Sequence, residues 1–130
     1  MEKSKIILLL LVVCIFARAN GAEYVHLIPT DDAFVSAANG GTSYGGSTNL
    51  YVGDRAAFEG TCVSYLKWDL GEIPAGSTIT HAEVWLNIHE TYPSYLKKTV
   101  GAHNVTDTTW SEGAITWDTQ PGYNLSLIHI

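Results

Sequence analysis

The chain has 130 residues, of which 46% are apolar and 15% are charged, and its formal net charge is −6. This balance is typical of one small globular domain, because a disordered chain has fewer apolar residues and more charge. The scarcity of Lys and Arg argues against a nucleic-acid partner, since a nucleic-acid-binding face needs cations to neutralise phosphates.

The first 22 residues have the composition of a secretory signal peptide. Lys3 and Lys5 precede an unbroken apolar run over residues 6–16, and small residues follow. A run of this length matches the core of such a signal, whereas a membrane-spanning helix needs roughly 20 apolar residues. Residues 1–22 are therefore predicted to direct export and then to be removed, which leaves a secreted, extracellular or cell-surface protein without a membrane insertion. A retained membrane anchor or a buried helix is the alternative.

The last six residues, 125–130, read LSLIHI and resemble the translation of an adapter used in preparing sequencing libraries. Such a scar does not belong to the fold. On this interpretation the domain occupies residues 23–124, and the natural sequence is cut near Asn124. A genuine apolar terminal strand is the alternative.

Residues 23–124 carry more negative charge than the whole chain. Without Lys3, Lys5, Arg18 and Glu2, four basic residues stand against twelve acidic ones, a formal net charge of −8. Cys62 is the single cysteine of this stretch, so an internal disulfide is excluded and stability must come from an apolar core.

Short apolar or alternating runs, separated by clusters of Gly, Asn, Ser, Asp and Pro, predict an all-β fold, an antiparallel β-sandwich. The predicted strands, in chain order, are 24–28, 33–36, 49–52, 63–70, 79–89, 99–103 and 115–117. A glycine-rich loop at 39–48 separates the second strand from the third. Apart from a single turn around 108–112, no helix is predicted after the signal.

The strand 79–89 has a clear inside and outside, because successive side chains of a strand point to opposite faces. Its even positions are apolar and are predicted to face the core: Ala82, Val84, Leu86 and Ile88. Its odd positions are mostly polar and are predicted to face outward: His81, Glu83, Trp85, Asn87 and His89.

The strand 63–70 alternates in the same way. Leu66, Trp68 and Leu70 are predicted to point inward, and Tyr65, Lys67 and Asp69 outward. If the strands 63–70 and 79–89 are neighbours, their outward residues form one outer face.

Five motifs follow one another along residues 30–122. They read DAFV at 32–35, SYGGSTNLYVG at 43–53, SYLKWDL at 64–70, IPAGSTITHAEVWL at 73–86 and WSEGAITWD at 110–118. In this order they resemble the DNRLRE domain, also classed as carbohydrate-binding module family 96 and related to the disaggregatase-type repeats of archaeal surface proteins. The resemblance implies a jelly-roll-like β-sandwich, incomplete at the C-terminus of this chain, within a secreted and often multidomain protein. Asp118 departs from the family, which often has Asn there.

The resemblance also implies polysaccharide binding, since some relatives bind alginate, a chain of carboxylated sugars. Aromatic rings suit the apolar faces of sugars, and polar groups suit their hydroxyls. The predicted ligand-binding residues are Tyr65, Lys67, Trp85, Asn87 and His81. Lys67 would meet an anionic sugar as a point charge. The charge of −8 repels such polymers, so a neutral glycan is an equal candidate.

Three functions stay open at this point. A non-catalytic carbohydrate-binding module has polysaccharide and the other domains of a longer chain as its partners. A structural spacer of a surface protein has no glycan ligand, and a neighbouring domain covers Trp85. An enzyme would use Asp69 and Glu83 as paired carboxylates. Because no nucleophile-elbow or zinc-protease motif occurs, binding without catalysis is favoured.

No cofactor is predicted, and structural calcium is the alternative. Calcium prefers clusters of oxygen ligands, and the candidates Asp31, Asp32 and Asp107 lie in or beside loops. None has the spacing of a dedicated calcium loop. A solvated acidic surface is the alternative.

Overall fold

The computed structural model describes residues 5–18, 22–55, 60–92 and 100–124, with side chains over 24–54, 60–87 and 100–124. These residues form an all-β structure with one short 3-10 helix, Ala37–Asn39. The strands are β1 (Lys5–Arg18), β2 (Ala22–Leu27), β3 (Asp31–Ser36), β4 (Leu50–Arg55), β5 (Gly60–Lys67) and β6 (Ile79–Tyr92). Within the described ranges, no helix has both the length and the apolar character needed to cross a bilayer.

The six strands form one open antiparallel sheet, in which β4 joins two halves. In the first half, β1 pairs with β6 over most of its length and also pairs with β2 and β4. In the second half, β5 lies between β4 and β3. The first three residues of β4 pair with β1 and the last three pair with β5, so β4 belongs to both halves.

Strand β1 consists of residues that the sequence analysis assigns to a signal peptide. The Ile, Leu and Val side chains that suit the apolar core of a signal also have a high propensity for strands. The apolar run therefore suits both the core of a signal peptide and a β-strand. Removal of residues 1–22 on export stays a prediction.

The β3–β5 half of the sheet is covered on both faces, which explains why β3 is buried over four consecutive residues. On one face Tyr65 and its neighbours on β3 pack against the segment 100–124. This cluster contains Ala33, Val35, Tyr65, Trp110 and Ile115, with Val63, Val105 and Trp117 partly buried around it. Trp110 meets the ring of Tyr65 edge-on, at 5.8 Å between ring centres.

The opposite face of this half is covered by the glycine-rich loop. Phe34, Leu50 and Cys62 form its buried cluster. Tyr44 of the loop stacks on Phe34 with 4.2 Å between ring centres, and Tyr51 meets the same ring edge-on. Tyr44 therefore acts in packing.

The glycine-rich loop also lies directly against the segment 111–118. The backbone N–H of Asp118 donates to the Gly40 carbonyl at 3.0 Å, and Ser43 Oγ donates to the Glu112 carbonyl at 3.0 Å. A Cβ atom on Gly40 would lie 2.6 Å from the Asp118 carboxylate, and one on Gly45 would overlap the carbonyl group of Glu112. Gly45 thus permits the close approach of backbone to backbone, and Gly40 leaves room for the Asp118 side chain.

Two predicted strands are absent from the described residues. Residues 100–103 contain only an isolated bridge at His103, and residues 112–119 form turns. The Ser111 carbonyl accepts hydrogen bonds from the amides of Ala114 and Ile115, which closes the first of these turns. The second layer that the sequence predicts is thus an irregular segment that buries Trp110 and Ile115.

The predicted orientation within residues 63–70 is right for Leu66, which packs on the buried cluster of Phe34, Leu50 and Cys62, and for the exposed Asp69, but it is wrong for Tyr65 and Leu70. Tyr65, predicted to face outward, is only 3% exposed, whereas Leu70, predicted to face inward, is 51% exposed. Strand β5 ends at Lys67, so Leu70 lies beyond it. Because both faces of β5 are covered, alternation along the strand does not separate a buried face from a solvent face.

The prediction for β6 is right for Trp85, whose side chain is 61% exposed. It is wrong for Ala82 and Leu86, which are exposed although they were predicted to face the core. Strand β6 pairs with β1 and has no second neighbouring strand in the described part of the chain. The exposure of Ala82 and Leu86 shows that the predicted core layer does not cover these two positions of β6.

Candidate functional site

His81, Glu83 and Trp85 of β6 form one hydrogen-bonded row. We call these three residues, together with Asn87, the β6 face. Glu83 Oε1 lies 2.7 Å from His81 Nε2, and Trp85 Nε1 donates to Glu83 Oε2 at 2.7 Å. The row exists because residues two apart on a strand share a face. The Glu83 carboxylate therefore links the imidazole to the indole and fixes the indole N–H.

The β6 face is open to solvent. The side chains of His81 and Glu83 are 59% and 38% exposed, and Trp85 is still more exposed than Glu83. The hydrogen bond from His81, followed by that from Trp85, lowers the pKa of Glu83 below its usual range. The carboxylate is consequently ionised at neutral pH, beside an apolar ring that faces water.

A shallow cavity accompanies this row. Residues 81–87 line an open depression of about 670 Å³, and Asn87 contributes an exposed amide to it. Ligand clefts of small molecules have volumes of this order. The depression combines an exposed indole, a carboxylate, an imidazole and an amide, which suits a ligand with apolar faces and many hydroxyl groups.

Lys67 does not belong to the β6 face. Its Nζ lies 2.8 Å from Asp31 Oδ2, donates to the Trp110 carbonyl at 2.7 Å, and stands 5.0 Å from the centre of the Trp110 ring. Strand β5, which carries Lys67, is separated from β6 by β4 and β1. The single outer face predicted from the sequence is therefore wrong, and the ammonium group joins β3 to the segment 100–124.

Tyr65 is likewise part of the core. Its hydroxyl donates toward Gln120 Oε1 at 2.9 Å and the Pro121 carbonyl at 3.1 Å. Burial raises the pKa of Tyr65 to about 12. No local sequence signal identifies Gln120 and Pro121 as its partners, because they lie more than fifty residues further along the chain.

The three calcium candidates are not brought together. Asp31 pairs with Lys67 and accepts from the Glu112 amide at 3.2 Å, and the Lys67 hydrogen bond lowers the pKa of Asp31. Burial, with the nearby charge of Glu112, raises the pKa of Asp32. Asp107 accepts from the amide and hydroxyl of Thr109 at 2.9 and 2.7 Å, the hydroxyl bond lowering the pKa of Asp107.

Asp31 and Asp107 therefore have hydrogen-bond partners within the fold. Among the described residues, no group of three or more His, Cys, Asp or Glu is placed to hold a metal ion. Structural calcium stays a prediction from the sequence.

The two carboxylates considered for catalysis also have local partners. Asp69 Oδ1 accepts from the Gly71 amide at 2.9 Å, just after β5 ends. Glu83 accepts from its two neighbours on β6. Neither carboxylate is shown facing the other as a catalytic pair, whereas the β6 face presents an exposed indole beside polar side chains.

Comparison with known proteins identifies the family of the chain. The model of carbohydrate-binding module family 96 matches residues 23–130. A gellan lyase from a Bacillus species is 32% identical over 114 residues, which cover 86% of this chain and 4% of the relative. No solved structure matches the chain. The chain belongs to carbohydrate-binding module family 96.

Proposed function

We propose that this chain is a non-catalytic module that binds polysaccharide through the β6 face. The family supports a carbohydrate ligand. The observation that carries the choice of surface is the exposed indole of Trp85, held by its N–H to Glu83. Of the residues predicted from the sequence, His81, Trp85 and Asn87 stay in the proposed site, while Tyr65 and Lys67 have structural roles.

The physical basis is the apolar face of the indole. A sugar ring stacked on Trp85 removes apolar surface from water, and covering about 80 Å² stabilises the complex by about 2 kcal/mol. The hydrogen bond to Glu83 fixes the ring beforehand, which reduces the entropy lost on binding. Asn87 and His81 supply polar atoms for sugar hydroxyls.

Trp85→Ala is expected to weaken binding about thirtyfold, the equivalent of about 2 kcal/mol. Affinity electrophoresis in gels containing gellan, alginate or a neutral glucan measures this change, and tryptophan fluorescence follows it in solution. Gellan is included because the relative is a gellan lyase.

Leu70→Ala serves as the matched control, because Leu70 is also a large exposed apolar residue but lies outside the β6 face. It should bind like the wild type. If Trp85→Ala and the wild type have equal affinity for every polymer, the β6 face is not the site. If no polymer binds the wild type, the spacer function replaces the proposal.

We also propose that the protein is extracellular and attached to other domains. The relative's name describes a polysaccharide lyase, and the matched segment is 4% of its length, as expected for an appended module. The five sequence motifs support the finer assignment to the DNRLRE domain, with a jelly-roll sandwich. An alginate-like ligand is the finer expectation from the resemblance, tested in the same gels.

Export is expected to remove residues 1–22. The basic start and the apolar run support this, and the family match begins at residue 23. Expression of the chain in a secreting host, followed by intact-mass measurement of the released protein, checks the prediction. Released protein that retains Met1 and the apolar run would contradict it.

A further inference from the structure

We infer that the β6 face selects uncharged sugars over carboxylated ones, and that Glu83 is the selecting residue. This inference rests on the proposed function, since it concerns the ligand of the same surface. It also departs from the alginate-like expectation that the resemblance supplies.

The Glu83 carboxylate places a negative charge beside the Trp85 indole. The Glu83 carboxylate accepts one hydrogen bond at each oxygen, from His81 at Oε1 and from Trp85 at Oε2. A sugar stacked on the indole thus lies directly beside an ionised carboxylate. Like charges about 6 Å apart at a water-exposed surface disfavour binding about threefold for each sugar carboxylate held there.

No compensating cation lies near Glu83 among the side chains that the structure describes. The stretch 81–87 contains neither Lys nor Arg. Among the side chains that the structure describes, Lys67 is the one lysine or arginine. Lys67 lies on β5, away from β6, and its ammonium group binds Asp31 and the Trp110 carbonyl. Within the described part of the chain, the cation that would attract an anionic sugar is therefore used in holding the fold together.

The rest of the domain is also negatively charged. Twelve acidic residues stand against four basic ones in residues 23–124. This excess repels a polyanion at distances up to the Debye length, about 8 Å at physiological salt. Glu83 adds a local and specific repulsion to this general one, because it touches the ring on which the sugar stacks.

The experiment compares charged and uncharged forms of the same polymer. Gellan and alginate are each used in native form and after chemical reduction of their carboxyl groups to alcohols. Binding by the full chain is measured at pH 8 and low salt, for the wild type, Glu83→Gln and Glu72→Gln. Gln at 83 keeps an acceptor for the indole, and Glu72→Gln removes the same charge from an exposed turn outside the β6 face.

The wild type is expected to bind the reduced form at least threefold more tightly than the native form. Glu83→Gln should bring this ratio close to one, Glu72→Gln should leave it unchanged, and added salt should strengthen wild-type binding of the native form. Thermal unfolding of the three proteins verifies that each is folded.

Equal or tighter wild-type binding of the native form, with no change in Glu83→Gln, would overturn the selection by Glu83 and leave the polysaccharide site intact. Failure of both forms to bind, or binding that is indifferent to Trp85→Ala, would instead overturn the proposed function itself. The two failures are therefore distinguished within one set of titrations.

Discussion

Gly45→Ala is expected to lower the free energy of unfolding by about 3 kcal/mol, a cost typical of forcing an extra carbon into a packed site. The added Cβ would overlap the carbonyl of Glu112, a backbone group that cannot rotate away as a flexible side chain can. The glycine-rich loop and the segment 111–118 would have to separate. Urea unfolding, followed by tryptophan fluorescence, measures the loss.

Gly46→Ala is the matched control for this change, one residue along the same loop. A Cβ atom there meets nothing within 4 Å. The free energy of unfolding should stay within about 0.5 kcal/mol of the wild type or rise slightly, because Ala restricts the unfolded chain more than Gly does. Equal stability of the two variants would contradict the close approach at Gly45.

Lys67→Met is expected to destabilise the protein by about 2 kcal/mol at pH 7, because charge-assisted hydrogen bonds are lost and Asp31 is left without its cation. The ammonium group holds Asp31 on the neighbouring strand and the Trp110 carbonyl in the covering segment. Methionine keeps an unbranched apolar side chain of similar length and removes the ammonium group with its charge and donors. Urea unfolding at a series of pH values measures the effect.

The destabilisation caused by Lys67→Met is expected to become smaller as the pH falls. The pKa of Asp31 in the folded protein lies below its ordinary value of 3.8, chiefly because Lys67 donates to the carboxylate. The ion pair therefore stabilises the fold above about pH 4, and this contribution is lost as the pH falls through the folded pKa. The stability difference between wild type and Lys67→Met should narrow on acidification.

The stability difference that remains at low pH measures the contacts of Lys67 with the Trp110 carbonyl and ring, because these groups do not titrate. Asp31→Asn, alone and combined with Lys67→Met, isolates the pair in a double-mutant cycle. A difference between wild type and Lys67→Met that stays constant down to pH 3 would contradict a contribution from the ion pair.

Much of the strand content could be predicted from the sequence. The alternation of His81, Glu83 and Trp85 with apolar residues correctly placed a strand there and turned the indole outward. This works because Trp85 and its row depend only on local periodicity. The hydrogen bonds of Glu83 to its two neighbours follow from the same spacing of two residues.

The position of Tyr65 and Lys67 could not be predicted in this way. Their environment depends on the segment 100–124, which lies far along the chain and covers a face that local periodicity marks as solvent. Trp110 lies in the stretch 108–112, where the sequence predicts a single turn, yet its side chain is buried from this irregular segment. Tertiary contacts of this kind decide burial independently of any local pattern.

Strand β1 occupies a slot between β6 on one edge and β2 and β4 on the other. If the predicted removal of residues 1–22 takes place, β6 loses the strand with which it pairs, and its backbone amides and carbonyls lose their ladder partners. The strand that carries the β6 face then becomes an unpaired edge of the sheet, so the arrangement described for β6 is that of the uncleaved chain.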